Sequence, residues 1–416
     1  MEFNYCCSIC NKNFNIVPEL TLCPDCSKNQ EPDQPLLGVL EVKLKGKADE
    51  TFVISDLLPV EPQYFPPAPV GNTPLWEPAN LRQKTGFKNL FIKDDSSNPT
   101  SSFKDRASFL VSAFAKKFNI NDIALASTGN AGSSMAGIGA AAGQRVTLFL
   151  PKTAPKAKLV QALQYGAKVF QVDGSYDMAY DISLAYSQKK GGMNRNTAYN
   201  PMTIEGKKTV SLELFKQLGQ AFLNGSKLNK SRLKKSELNK FELNRAPDMV
   251  FVSAGDGCIL AGVYKGFRDL KQLGLIQDIP RIVAVQAKTS DALFRAYTTG
   301  KFENIPTTTI ADSICVDVPR NGIHALAQIK QYNGEVMRVS DDQIIQAQAR
   351  LSRTTGLFTE PAGAAAFAGF LKAAPRLDPD ALIVVLTTGN GLKDSASASL
   401  GIEMPQTLIH SVDDIL

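Results

Sequence analysis

The stretch 123-IALASTGNAGSSMAGIGAAAGQRVTLFLP-151 decides the fold. It opens on a short apolar run, IALAS at 123–127, followed by the loop 127-STGNAG-132. Small residues then run through 132–143 and stop at Gly143, as a helix with a C-terminal glycine does. VTLFLP at 146–151 is a second apolar run. Strand, helix and strand, with strands apolar on both faces, predict a parallel sheet covered on both sides. The pattern continues outward. A helix is expected over 154–166 and another from about Leu260, with strands over 168–173, 249–254, 281–287 and 381–388. The class is α/β, and in such sheets ligands sit beyond the carboxyl ends of the strands. The Gly/Asn/Thr-rich segments fall there.

Size and composition set the bounds. A chain of 416 residues exceeds one minimal core and suggests two or three domains. Hydrophobic content of 44% with 21% charge is ordinary for a globular protein. No apolar run reaches the roughly 18 residues of a membrane span. The N-terminus, MEFNYCCSICNKNF, lacks the basic-then-apolar layout of a secretory signal, so the expected compartment is the cytoplasm. Only His324 and His410 are present, which argues against serine-hydrolase or multi-histidine metal chemistry.

The net charge of +6 is concentrated. Residues 226–245 form four tandem pentads, SKLNK, SRLKK, SELNK and FELNR, with seven Lys or Arg against two Glu. Leucines every five residues give a helix no single apolar face. The segment reads as a flexible or frayed surface insertion. Without interleaved aromatics for base stacking, nucleic acid is an unlikely partner.

Five of seven cysteines lie in the first 26 residues. Cys7-x-x-Cys10 and Cys23-x-x-Cys26 can place four thiolates on one tetrahedral metal, Zn²⁺ by default. Four thiolates leave no open position, so the metal is read as structural, and it would supply the folding energy of a segment without its own core. Iron and a disulfide pair are the alternatives, and Cys6 could substitute in register. Cys258 and Cys315 read as buried free thiols.

Three more features meet at strand ends. The loop 127-STGNAG-132 allows close backbone approach, and Asn130 could hold an oxygen there. In 255-GDGCILAG-262, backbone N–H groups could cradle a phosphate, although neither a dinucleotide fingerprint nor a P-loop is matched. Thr387 and Thr388, in 387-TTGNGLKD-394, place neutral hydroxyls after the last strand. A lysine set between an aromatic and an Asp-Arg pair, Lys104 in 98-NPTSSFKDRA-107, is suited to covalent chemistry, because desolvation favours the neutral amine. Pyridoxal phosphate has the parts this set would grip: an aldehyde, a ring hydroxyl, a pyridine nitrogen and a phosphate.

The order of motifs resembles the threonine synthase family of fold-type-II pyridoxal-phosphate enzymes. The matching pieces are 98-NPTSSFKDR-106, 127-STGN-130, 200-NPMTIEGKKT-209, 255-GDGC-258, 319-PRNG-322, 360-EPAGAA-365 and 387-TTGNGLKD-394. The resemblance implies a two-subdomain, tryptophan synthase β-like fold with parallel sheets, plus an N-terminal zinc ribbon. It divides the chain into a ribbon at 1–30, an extended joining segment at 31–97 and a catalytic core at 98–416, with a smaller subdomain at about 118–205. It implies Lys104 as the Schiff-base lysine, Asn130 at the ring hydroxyl, Gly255, Asp256, Gly257, Cys258 and Ile259 at the cofactor phosphate, and Thr388 at the pyridine nitrogen. The implied reaction converts O-phosphohomoserine and water to threonine and phosphate, with a homodimer left open. A related lyase or β-replacement enzyme, of the serine/threonine deaminase or cysteate-synthase kind, is the alternative.

Five positions depart from the family pattern. Ser101 and Ala107 replace glycines, and Cys258 stands where a second glycine is common. Ile259 takes the place of an asparagine. Thr203 occupies the position of an arginine that binds substrate phosphate. Lys152, Lys156, Lys207 and Arg320 are the cations that could compensate.

Overall fold

The computed structural model describes all residues except 32, 128, 153–155, 175, 224–245, 407 and 412–416. The pentad insertion therefore lies outside the described residues.

Three short antiparallel strands open the chain: β1 (Glu2–Cys7), β2 (Asn13–Phe14) and β3 (Leu40–Lys45), in the order β2-β1-β3. Tyr5 pairs with both Phe14 and Val42. The next segment supplies β4 (Leu75–Trp76), α1 (Ala79–Thr85) and β5 (Leu90–Asp94), which join a sheet completed much later in the chain. α2 (Lys104–Lys117) follows.

A smaller sheet, β8-β7-β6-β9, is wholly parallel. It alternates β6 (Asp122–Ala126), α3 (Asn130–Ala142), β7 (Arg145–Pro151), α4 (Lys156–Gln164), β8 (Lys168–Val172), α5 (Tyr176–Lys190) and β9 (Met193–Asn194). α3 ends at Gly143 in the left-handed region, as its sequence predicts. It begins at Asn130 rather than at residue 132, so the Asn side chain sits at the helix entrance itself.

After α6 (Met202–Lys207) and α7 (Thr209–Leu223) come β10 (Met249–Ser253), α8 (Cys258–Gln272), β11 (Arg281–Ala287), α9 (Ala292–Thr299), α10 (Gly322–Gln331), β12 (Glu335–Val339), α11 (Asp341–Thr355), α12 (Pro361–Ala373), β13 (Ile383–Thr387) and α13 (Ser395–Ser399). The large sheet has the order β12-β11-β10-β13-β5-β4, parallel except for β4. Every residue of β10 and β13 is buried, as in a sheet covered on both faces. α8 starts at Cys258, two residues before the expected start, which puts Cys258 and Ile259 in its first turn.

β5 is apolar only at first. Its last two residues, Lys93 and Asp94, are buried charges. Lys93 donates to Glu213 at 2.7 Å and to the Thr73 carbonyl at 2.7 Å. Glu213 also takes Arg106, which is paired to Asp95 at 2.6 Å on its other side. Asp105 does not pair with Arg106; it accepts from the Thr100 N–H at 2.7 Å. Arg106 thus pins α2 to β5 and α7 rather than facing the site.

Candidate active site

The segment before α2 is clasped to the end of β13. Phe103 N–H donates to the Thr388 carbonyl at 2.8 Å, and Asn390 N–H donates to the Ser101 carbonyl at 3.1 Å. Ser101 holds a φ of +64°, the left-handed region that favours glycine. This clasp presents Lys104 as the first residue of α2, half-buried at a cleft, with Phe103 fully buried behind it. The amine has no hydrogen bond or ion pair among the described residues. Burial lowers its pKa below the usual 10.5, and the Arg195 charge lowers it further.

Asn130 faces the same cleft. Its amide nitrogen donates to Glu360 Oε1 at 2.6 Å and to Ser313 Oγ at 3.2 Å, while its buried Oδ1 has no partner among the described residues. Burial raises the Glu360 pKa, and the nearby Lys158 ammonium opposes that rise. Lys158 donates to Asp312 Oδ2 at 2.5 Å and to Ser313 at 3.1 Å, and it lies 3.7 Å from Glu360 Oε2. A carboxylate, an amide and an ammonium thus hold one another across the cleft.

The loop after β10 supplies the backbone. Gly257 has a φ of +80°, and a Cβ there would meet Ala325 at 2.7 Å. Asp256 is fixed by the N–H groups of Arg320 and Asn321, each at 3.1 Å. The first helical bond of this turn is Ala261 N–H to the Gly257 carbonyl at 3.0 Å. The N–H groups of residues 255–260 have no partner among the described residues. Free N–H groups at a helix entrance form an anion site.

Thr387 turns inward, its hydroxyl donating to the Lys93 carbonyl at 3.2 Å. Thr388 turns to the cleft, its hydroxyl unpartnered among the described residues. Lys104, Asn130, Gly255, Asp256, Gly257, Cys258, Ile259 and Thr388 all line this one cleft, together with Thr197, Ser313 and Glu360. The unpaired amine, the orphaned amide oxygen, the row of free N–H groups and the neutral hydroxyl fit pyridoxal phosphate group by group.

The candidate compensating cations separate. Lys152 is exposed and paired with Asp173 at 2.5 Å. The Lys156 side chain lies outside the described residues. Arg320 stacks over the Tyr180 ring at 4.8 Å. Lys207 is fully buried against the cleft-lining Cys258. The Thr203 hydroxyl is engaged by the Asn200 carbonyl at 2.7 Å. Sequence reasoning did not select Arg195, Lys158 or Glu360. Glu360 stood in a quoted motif without a role. Arg195 follows a two-residue strand and carried no local signal.

At the N-terminus, the sulfurs of Cys7, Cys10, Cys23 and Cys26 lie within 4.8 Å of one another. Such a set of sulfurs suits a tetrahedral thiophilic cation. Cys6 stands outside this group, its sulfur 3.7 Å from the Cys7 carbonyl. Cys258 is buried, but Cys315 is only half-buried, against the Thr307 hydroxyl at 3.4 Å. The segment that follows the ribbon docks on the cleft wall. Leu36 and Val39 pack with Ile204, Cys258 and Ala261, and Leu36 N–H donates to the Arg320 carbonyl at 2.9 Å. Glu41 takes Arg268 at 2.6 Å and His324 at 3.0 Å.

Comparison with known proteins gives the family. A sequence profile described as "Pyridoxal-phosphate dependent enzyme" matches residues 67–389. The threonine synthase of Methanocaldococcus jannaschii is 33% identical over 341 residues, covering 80% of this chain and 78% of that one. That of Methanosarcina acetivorans is 32% identical over 383 residues, covering 90% and 87%. Among solved structures, threonine deaminase isoform 2 from Solanum lycopersicum superposes with a TM-score of 0.64 at 21% identity, over 85% of this chain and 94% of that one. Diaminopropionate ammonia lyase from Escherichia coli gives 0.66 at 15% identity, over 86% and 93%. These two likenesses establish the shared fold. No helix among the described residues is long and apolar enough to cross a membrane. The profile match and the curated relatives, taken with the cleft, place this chain in the threonine synthase family of pyridoxal-phosphate dependent enzymes.

Proposed function

We propose that the protein is a threonine synthase, converting O-phosphohomoserine and water to L-threonine and phosphate. The observation that carries the reading is the convergence of Lys104, Asn130, the 255–260 backbone and Thr388 on one cleft. Lys104 would hold the aldehyde carbon of pyridoxal phosphate and Asn130 the ring hydroxyl. The N–H groups from Gly255 to Ile259 would hold the phosphate, and Thr388 the pyridine nitrogen. When bound, the cofactor supplies an electron sink for negative charge at the substrate Cα.

The remaining chemistry belongs to the chain's own groups. The Lys104 amine, its pKa lowered by burial, takes and returns protons at substrate carbons once it is free. Its place on the first turn of a helix clasped to β13 fixes the direction of that transfer. Thr388 offers a neutral hydroxyl, which does not force a proton onto the pyridine nitrogen. Glu360 orients Asn130 from behind.

In the same reading the four ribbon thiolates hold a structural Zn²⁺, and the enzyme works in the cytoplasm, where thiols stay reduced. The test is turnover of O-phosphohomoserine by the pyridoxal-phosphate-loaded protein, with phosphoserine, serine and threonine in parallel. Equimolar threonine and phosphate from O-phosphohomoserine are expected. Ketoacid from serine or threonine, with no phosphate release, overturns the assignment in favour of a deaminase.

A further inference from the structure

Most buried cations of this protein face a carboxylate. Lys93 has Glu213, Arg106 has Asp95 and Glu213, Lys158 has Asp312, and both Lys208 and Lys265 have Asp269. Lys393 lacks one but donates to three oxygens, the Thr100 carbonyl, Gln161 Oε1 and Ser133 Oγ. Arg195 and Lys207 differ. Arg195 is 1% exposed, its Nε reaches Ser108 Oγ at 3.4 Å, and its Nη2 has no partner among the described residues. Lys207, also 1% exposed, has the Thr203 carbonyl at 3.0 Å and the Cys258 sulfur at 3.2 Å, with no carboxylate in contact among the described residues.

Position links these two groups to the chemistry. Arg195 lies at the carboxyl end of β9, its N–H bonded to the Ala124 carbonyl of β6 at 2.8 Å. Ser108, its side-chain partner, is four residues after Lys104, one turn on along the same face of α2. Lys207 closes α6, and the sulfur it touches lines the cleft. Buried cations without counter-charge are costly unless an anion arrives. Burial lowers the Lys207 pKa to about 8 and that of Arg195 to about 10; the carboxylates of Asp256 and Asp105 act on them only from beyond ion-pair contact. The guanidinium fork matches a phosphate geometrically, and an ammonium adds a point charge.

We propose that Arg195 and Lys207 form the anion subsite that takes the phosphate of the substrate, separate from the backbone seat at 255–260 that takes the phosphate of the cofactor. The inference rests on the reading above that the substrate is a phosphate ester. It also replaces the charge that Thr203 cannot provide.

The experiment uses the full-length, cofactor-loaded protein and titrates inorganic phosphate by calorimetry, beside KM measurements with O-phosphohomoserine. Wild type, Arg195→Met, Arg195→Lys and Lys207→Met are each first checked for a full complement of lysine-bound cofactor by visible absorbance. Arg195→Met is expected to keep its cofactor, to bind phosphate roughly 10- to 100-fold more weakly and to raise KM similarly. Lys207→Met should show about a 10-fold loss. Arg195→Lys, which keeps charge and bulk but not the fork, should fall between wild type and Arg195→Met, and it serves if Arg195→Met does not fold. Phosphate binding unchanged in the variants overturns the proposal. So does loss of cofactor with phosphate binding per loaded site intact, which would assign both residues to the cofactor seat. Phosphate binding that depends on Arg195 and Lys207, in a protein that releases no phosphate from O-phosphohomoserine, keeps the subsite and removes the reaction.

Discussion

Lys104, Ser101 and Lys207 each carry a prediction at the scale of a single residue. Lys104→Ala should abolish the visible absorbance of lysine-bound cofactor and turnover together; a variant retaining that absorbance would remove Lys104 from its role. Ser101 sits in the left-handed region while closing the clasp to Asn390. Ser101→Gly should therefore raise stability by about 1 kcal/mol, read by chemical denaturation, and leave the cofactor in place. Lys207 gives a pH dependence. Its charged and titratable neighbours are Cys258 of α8, Arg195 after β9, Lys104 of α2 and Asp256 of the loop before α8, and burial brings its ammonium down to about 8. Phosphate affinity should be full below that value and fall as pH rises through it. Without bound anion the sign for stability is opposite. The unfolded chain then holds the proton more tightly, so stability rises between about 8 and the ordinary 10.5. An affinity profile flat across this range would exclude the Lys207 charge from binding. At this scale Lys104, Asn130 and Thr388 were legible because each stands in a local motif. Arg195 was not, because the residues around it lie far away in sequence, at Ser108 and Asp105 of α2 and at Cys258 of α8.

At the scale of elements, the ribbon is linked to the loop before α8 through the segment that follows it, whose β3 pairs with β1. Leu36 and Val39 lie against Cys258 and Ala261. Glu41 bonds His324, which contacts Asn321 Oδ1 at 3.2 Å, and Asn321 Nδ2 donates to the Gly257 carbonyl at 3.2 Å. Under the proposed metal assignment, stripping the ion from the four cysteines with a chelator should therefore loosen the 255–260 loop. The expected result is weaker cofactor binding, measured by dialysis and absorbance, while far-UV dichroism of the large sheet changes little. Undiminished cofactor affinity after complete metal loss would uncouple the two elements. β10, β11 and β13 were readable as apolar runs because both of their faces are buried. β5 was not, because Lys93 and Asp94 interrupt its pattern. Their partners lie at Glu213 and Thr73, and a local reading has no access to pairings of that range. The early start of α8 had a similar cause: its first turn is set by contacts to Asn321 and Ala325, not by a capping side chain.

At the scale of the whole molecule, buried ion pairs hold distant segments together. Arg106 joins α2 to Asp95 and to Glu213 of α7. Glu213→Gln leaves Arg106 and Lys93 short of a counter-charge and should cost about 3–5 kcal/mol, read as a lowered denaturation midpoint. A loss under about 1 kcal/mol would show that the remaining Asp95 suffices. The α/β class and its parallel sheets were legible from the alternation of short apolar runs with glycine-stopped helices. The strand order was not, because it depends on which runs become neighbours, and periodicity carries no record of that.

That order has a bearing on how the polypeptide is made. β13, the last of the described strands in sequence, is inserted between β10 and β5 in the middle of the six-stranded sheet. Until residue 387 has been synthesised, both neighbours keep an open hydrogen-bonding margin and the clasp on Ser101 has nothing to close upon. A chain whose synthesis has not reached residue 387 thus carries an unfilled gap in its large sheet, prone to stick to its fellows, and lacks both Thr388 and the clasp that complete the cleft for vitamin B6.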